Sequence, residues 1–249
     1  TRTGENRFSP QVGAVWHATP ELSVYATYGE NFRPLSGADF AGNAFDPNQS
    51  ESIEGGIKFA TANGRLTATA SVFSISQGNI LVGDPVNAGF TIAGGEARSR
   101  GFEFDLNGEI AEGLDLWVSY AYVDAENRDN VADPDFGKLI RAGDRLLNIP
   151  EHTLNIQLAY ATRIAERDVR LGGGVLHVSE RLGEVGTTFE LPDYTLTRLF
   201  AETELTEGVR LRLDIDNLFD TTWYSNSFSQ LWIQPGTPRN VRVTGSFAF

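Results

Sequence analysis

The chain is written largely in a period of two. In VRLRLDIDN (209–217), Val209, Leu211, Leu213 and Ile215 fall on one parity and Arg210, Arg212, Asp214 and Asp216 on the other. A pleated strand sorts such a pattern onto two faces, and a helix does not. LDLWVSYAY (114–122) and TLNIQLAY (153–160) alternate in the same way, and weaker versions occupy VGAVWH, LSVYATY, SIEGGIKF, RLTATASVF, GFEFDLN, VRLGGGVLHV and YTLTRLFAETEL. The chain ends on NVRVTGSFAF (240–249), with Val241, Val243, Phe247 and Phe249 opposite Arg242, Thr244 and Ser246, so the pattern predicts eleven strands.

The connections between these strands alternate in length. ATPE (18–21), TANG (61–64), GEIAEG (108–113), TRIAERD (162–168) and TEG (206–208) read as tight turns. The connections over 31–48, 78–89, 126–150, 181–193 and 218–238 are long and carry Pro, Gly, Asn, Asp and aromatics. A meander with short turns at one end and long loops at the other is expected when its two ends face different environments. A soluble β-sandwich also alternates apolar and polar residues. However, several stretches here sustain the pattern for 9 to 12 residues, the length that spans a bilayer at a tilt. The expectation is therefore an all-β fold, an antiparallel transmembrane β-barrel. Trp16, Tyr25, Tyr28, Trp117, Tyr120, Tyr122, Tyr160, Phe247 and Phe249 lie near strand ends or on outward faces, as membrane-interface girdles would.

Composition narrows the function. A net charge of −13 and an isoelectric point near 4.6 argue against nucleic acid, whose phosphates need clustered Lys and Arg. Cysteine is absent, which removes disulfides, thiolate nucleophiles and Cys-based zinc sites. Methionine is absent even from position 1 and TRTGENRF has no apolar leader segment, so we expect residues 1–249 to be the C-terminal part of a longer protein. A mean hydropathy of −0.23 suits a soluble chain, but it equally suits strands that are apolar on one side only.

No reactive constellation emerges. His17, His152 and His177 are far apart and lack metal-binding spacing, and neither GxSxG nor GxxxxGK(S/T) occurs. Asp214 and Asp216 beside Arg210 and Arg212 read as a charged ladder on a wet lumen rather than an acid/base pair. We expect no catalytic activity, no metal site and no cofactor.

Five stretches taken in order resemble a known family: ENFRPLSGAD (30–39), PNQSESIEGGIKF (47–59), GFEFDLNGEIAEGLDLWVSYAYVDAE (101–126), DIDNLFDTTWYSN (214–226) and PGTPRNVRVTGSFAF (235–249). They are similar to the C-terminal barrel half of TonB-dependent outer-membrane receptors, especially the ferric-siderophore group. The resemblance implies the last eleven strands of a 22-stranded barrel in the Gram-negative outer membrane, with the plug domain and N-terminal strands missing. It also implies import of a ferric siderophore, energised by the TonB complex through the missing region; the alternatives are a receptor of the same kind for cobalamin, haem or a glycan, and a β-barrel or β-sandwich binding protein without TonB coupling. Outer-membrane lipid and lipopolysaccharide would surround the barrel.

For bulky, often anionic chelates, aromatic faces and Arg donors in the long loops are candidate contacts. Phe32, Arg33, Phe40 and Phe45 supply them in the first long loop, and Trp223, Tyr224, Phe228 and Trp232 in the last. Asn217 is expected to satisfy backbone groups where its strand ends, with Leu218 and Phe219 buried beneath the loop, while Pro235, Gly236 and Pro238 set the register of the last strand. The closing strand resembles the signal read by the outer-membrane barrel assembly machinery, which assigns Val243, Phe247 and Phe249 to assembly.

Overall fold

The computed structural model describes residues 8–133 and 137–248. Eleven strands form one antiparallel sheet. They are β1 (Gln11–His17), β2 (Leu22–Arg33), β3 (Asn48–Ala60), β4 (Leu66–Gly83), β5 (Thr91–Ala111), β6 (Leu114–Asn127), β9 (His152–Ile164), β10 (Arg167–Val178), β13 (Tyr194–Thr206), β14 (Val209–Asp216) and β17 (Asn240–Phe247). Each strand pairs with the one before it in the sheet, a meander whose two outer strands, β1 and β17, are not paired with each other. Among the described residues there is no helix.

The registers carry one apolar face across the whole sheet. Trp16 lies opposite Val24, Val24 opposite Ile57, Ile57 opposite Ala70 and Ala70 opposite Phe104. The row continues from Phe104 to Tyr120 and Leu154, and farther on Leu199, Ile215 and Val241 stand opposite one another in turn. Many of these side chains are exposed, including Trp16, Ile57, Leu158, Leu199, Leu213 and Val243. A soluble protein covers such a surface, whereas a lipid-facing wall leaves it open.

The opposite face is polar and internally paired. Arg212 donates to both oxygens of Asp214 and to Glu202, Arg170 pairs with Asp115 at 2.9 Å, and the Tyr25 hydroxyl donates to Glu54. The expected ladder of Arg210, Arg212, Asp214 and Asp216 lies on this face, with Arg242 3.7 Å from Asp216.

Three expectations change. Tyr25 and Trp117 fall on the polar face: Tyr25 pairs with Gly56 beneath Lys58, and Trp117 sits 5.8 Å under the Arg170 guanidinium. Strict parity overrides a preference based on nearness to a strand end. The stretch 78–89, expected as a loop, is mostly strand, because β4 and β5 run on through a bulge between Gln77 and Ile80 and close with only residues 84–90 between them. Asn79 in a left-handed conformation (φ 56°) absorbs the bulge. Phe219 is 71% exposed rather than buried, since the turn closed by the Asp220 N–H to the Asn217 carbonyl turns it outward. Asn217 does act as expected: its amide donates to the Thr221 and Thr237 carbonyls, and its oxygen accepts from the Thr221 N–H. Val243 and Phe247 lie on the exposed apolar face, while Phe249 falls outside the described residues.

Candidate functional site

Three of the long connections contain two-stranded ribbons that periodicity did not reveal. These are β7 (Val131–Asp133) with β8 (Lys138–Ile140), β11 (Arg181–Leu182) with β12 (Glu190–Leu191), and β15 (Tyr224–Ser229) with β16 (Trp232–Pro235). Side chains tie them into one body. Lys138 pairs with Glu184, whose second oxygen accepts the Gln230 N–H at 3.0 Å. The Asn148 amide donates to the Ser227 carbonyl at 2.7 Å and accepts the Ser227 N–H at 3.0 Å. Asn148 adopts φ 61°, a conformation Asn tolerates, and its own N–H donates to the Leu182 carbonyl. The Ser227 hydroxyl closes the junction on the Gly183 carbonyl.

Arg181 sits at the centre of this body and is only 2% exposed. Its Nη2 donates to the consecutive carbonyls of Tyr224 and Ser225. Its guanidinium lies 5.4 Å from the Tyr194 ring, and Tyr194 packs 4.8 Å from Trp223. The Trp223 indole in turn covers Gly236, where any Cβ would collide with the ring, and its N–H donates to the Thr237 carbonyl. Gly236 is therefore needed for close approach, in addition to its expected part in the turn.

The first loop group is separate. β2 ends at Arg33, with Phe32 on the same parity as the apolar face and Arg33 on the other. Phe40 is 59% exposed and meets Phe90 edge-on at 5.0 Å, whereas Phe45 is 8% exposed and packs inside the loop. Asp39 accepts from the Asn43 backbone and side chain, and Asp84 does the same for Asn87, so both carboxyls are held below the usual aspartate range. Phe32 also borders a hollow of about 540 Å³ whose other walls include Glu30, Glu51, Glu96, Arg98 and Arg128.

The eight sequence-predicted contacts thus form two sets carried by opposite ends of the sheet. Trp223 and Tyr224 belong to the tied body; Phe228 and Trp232, 68% and 75% exposed, stand open on its outermost ribbon beside Leu231. Arg181, Asn148 and Glu184 were missed because polar residues in long connections give no periodic signal, and Tyr194 because it opens an expected strand. Three histidines bond to separate partners, Ser23, Tyr120 and Thr195, and among the described residues no cluster of His, Asp and Glu could hold a metal ion.

The tie through Glu184 carries a pH dependence. Hydrogen bonding from Lys138, then from the Gln230 N–H, holds the Glu184 carboxyl below the usual glutamate range. A depressed pKa stabilises the folded loops above the unfolded value and loses that contribution as pH falls through the folded one. Protection of the 224–235 amides against hydrogen exchange, taken relative to their intrinsic rates, is therefore expected to fall as pH drops below the usual glutamate range, and Glu184→Gln should show the lower protection already at pH 7. Equal protection in both proteins at pH 7 would refute the tie.

The sequence matches the family described as TonB dependent receptor-like, beta-barrel, over residues 1–218. It is 36% identical over 240 residues to the metal-pseudopaline receptor CntO of Pseudomonas aeruginosa, covering 95% of this chain and 33% of that protein. It is 25% identical over 233 residues to the ferrichrome outer membrane transporter/phage receptor of Escherichia coli, covering 92% and 30%. The ferripyoverdine receptor of the Pseudomonas aeruginosa outer membrane, solved with ferripyoverdine, superposes with a TM-score of 0.81 at 26% identity, covering 98% of this chain and 33% of that one. These relatives are receptors and transporters, in keeping with a sequence that offers no reactive constellation. The chain spans about a third of the length of the curated relatives it matches. An open meander of eleven strands, apolar on one face and ion-paired on the other, agrees with all of these likenesses: the chain belongs to the TonB-dependent receptor family, as part of its β-barrel.

Proposed function

We propose that residues 1–249 are the C-terminal part of the barrel of an outer-membrane receptor that imports a metal–siderophore complex, energised through TonB. The observation that carries this reading is the predominantly apolar face that runs across all eleven strands, backed by an ion-paired inner face. Sequence likeness to a metal-pseudopaline receptor and a ferrichrome transporter supports a metal chelate as cargo. In this reading the eleven strands are half of a 22-stranded barrel, and the remaining strands close it by pairing with the free edges of β1 and β17. The tied ribbons face outward as the ligand platform, and the short turns are periplasmic. Lipid and lipopolysaccharide meet the apolar face, and the assembly machinery reads β17.

Topology is tested by single cysteines in the full-length receptor. An impermeant reagent on intact cells is expected to label Asn226→Cys and not Asn63→Cys; the reverse pattern would invert the barrel. Cargo is tested by growth of a deletion strain under iron or zinc limitation with individual metal chelates as the sole source. Rescue by cobalamin or haem alone would replace the siderophore reading.

A further inference from the structure

The receptor loops bury a charge that no counter-charge among the described residues meets. Arg181 is 2% exposed, yet no carboxylate among the described residues pairs with it: Glu184 is taken by Lys138, and Glu190 by Arg145. Nη2 is satisfied by two loop carbonyls, but Nη1 is buried with no hydrogen-bond partner. Burying a cation without an anion is costly, and buried guanidinium donors are ordinarily all used. Packing alone would be met better by an apolar side chain, and a simple clamp on two carbonyls uses only one of the terminal nitrogens. Two sequence-predicted ligand residues, Trp223 and Tyr224, are joined to the same group, one through the Tyr194 ring and the other through its own carbonyl.

We propose that Arg181 Nη1 is the recognition point for a carboxylate of the incoming ligand, so that the receptor selects chelates bearing free carboxylate oxygens. This rests on the receptor reading above and names the chemistry of its loop site. A planar guanidinium already fixed by two carbonyls and an aromatic face presents its remaining donors without further ordering, which favours a carboxylate over a spherical anion. Because Nη1 is covered, the carboxylate reaches it only when side chains around the guanidinium give way while the two carbonyls keep hold of Nη2. Binding is thereby linked to a change in the packing of Trp223 on Tyr194, which supplies a signal.

The test uses the full-length receptor in detergent micelles and citrate as probe, at constant ionic strength set with NaCl. Trp fluorescence and thermal unfolding are followed together. Wild type is expected to give a saturable change in both. Arg181→Gln should need at least about thirtyfold more citrate, as for truncation of one partner in a buried charge pair. Trp16→Phe, on the apolar face of β1 away from the loops, should keep both the fluorescence change and the citrate-dependent thermal shift, which assigns the signal to the loop body. If Arg181→Gln yields no heat-modifiable barrel, Arg181→Lys decides, because it keeps the charge and lacks the second terminal nitrogen; at least about a tenfold loss is expected. No saturable response in wild type, or an unchanged half-saturation in whichever variant assembles, would overturn the proposal. Failure of every chelate to support growth would instead sink the transport reading and leave the citrate titration standing.

Discussion

Gly101→Val is expected to prevent the full-length receptor from reaching a heat-modifiable, protease-resistant state. Gly101 stands opposite Phe73 on the polar face, and the Phe73 ring lies across the space a side chain would occupy. A Cβ there would meet the Phe73 ring at 2.8 Å and collide with the Tyr122 carbonyl oxygen on the neighbouring strand. A ring can rotate away, but a carbonyl in a ladder can move only if β5 and β6 separate. The cost belongs at or above the top of the roughly 1–3 kcal/mol range for overpacking, because backbone has to give. Gly55→Ala is the control, since its nearest neighbour is the Tyr25 carbonyl oxygen at 3.8 Å. Equal yields of folded barrel from Gly101→Val and Gly55→Ala would show that β4, β5 and β6 are not packed as described.

Val243→Arg should lose about 2–4 kcal/mol if its position lies near the bilayer midplane, and less toward the interface. Val243 is 66% exposed and stands opposite Leu213 in the apolar row, so in the proposed barrel a charge there would enter hydrocarbon. Its neighbour makes the comparison sharp. Arg242 points to the other face, where its 3.7 Å pair with Asp216 is largely exposed, and Arg242→Ser should change stability by less than about 1 kcal/mol. Urea unfolding in lipid vesicles measures both. Similar losses for the two substitutions would mean that β17 does not sort lipid from lumen.

Much of the fold was legible because alternation is a local property: a strand wet on one side and apolar on the other has to state its parity in every residue. All eleven expected strands are present for that reason, most of them longer than expected. Where sequence reasoning ranked nearness to a strand end above parity, as with Tyr25 and Trp117, it placed rings on the wrong wall. The loop site was less legible. Asn148 and Ser227 are 79 positions apart and bond to each other twice, a relation that no spacing rule encodes. Arg181 looked like any surface arginine until its burial was known. Aromatic composition alone led to Trp223 and Tyr224, and it found the neighbourhood without finding the charge at its centre.

The length of the β4–β5 hairpin carries a further consequence. At roughly 3.4 Å per residue, strands of 18 and 21 residues run about 60 and 70 Å, and a 45° tilt leaves about 40 to 50 Å along the membrane normal against an apolar band of about 25 Å. On the proposed topology this hairpin extends about 15 Å or more beyond the apolar band, braced as a ladder rather than hanging as a loose loop. Its tip bears Val86, 84% exposed, in a turn pinned by Asp84. To an antibody approaching the cell, that tip is a rigid epitope raised above the surrounding surface. Any macromolecule that recognises the receptor from outside would on that topology meet residues 84–90 separately from the ligand platform, so the two parts of the outer surface could diverge independently.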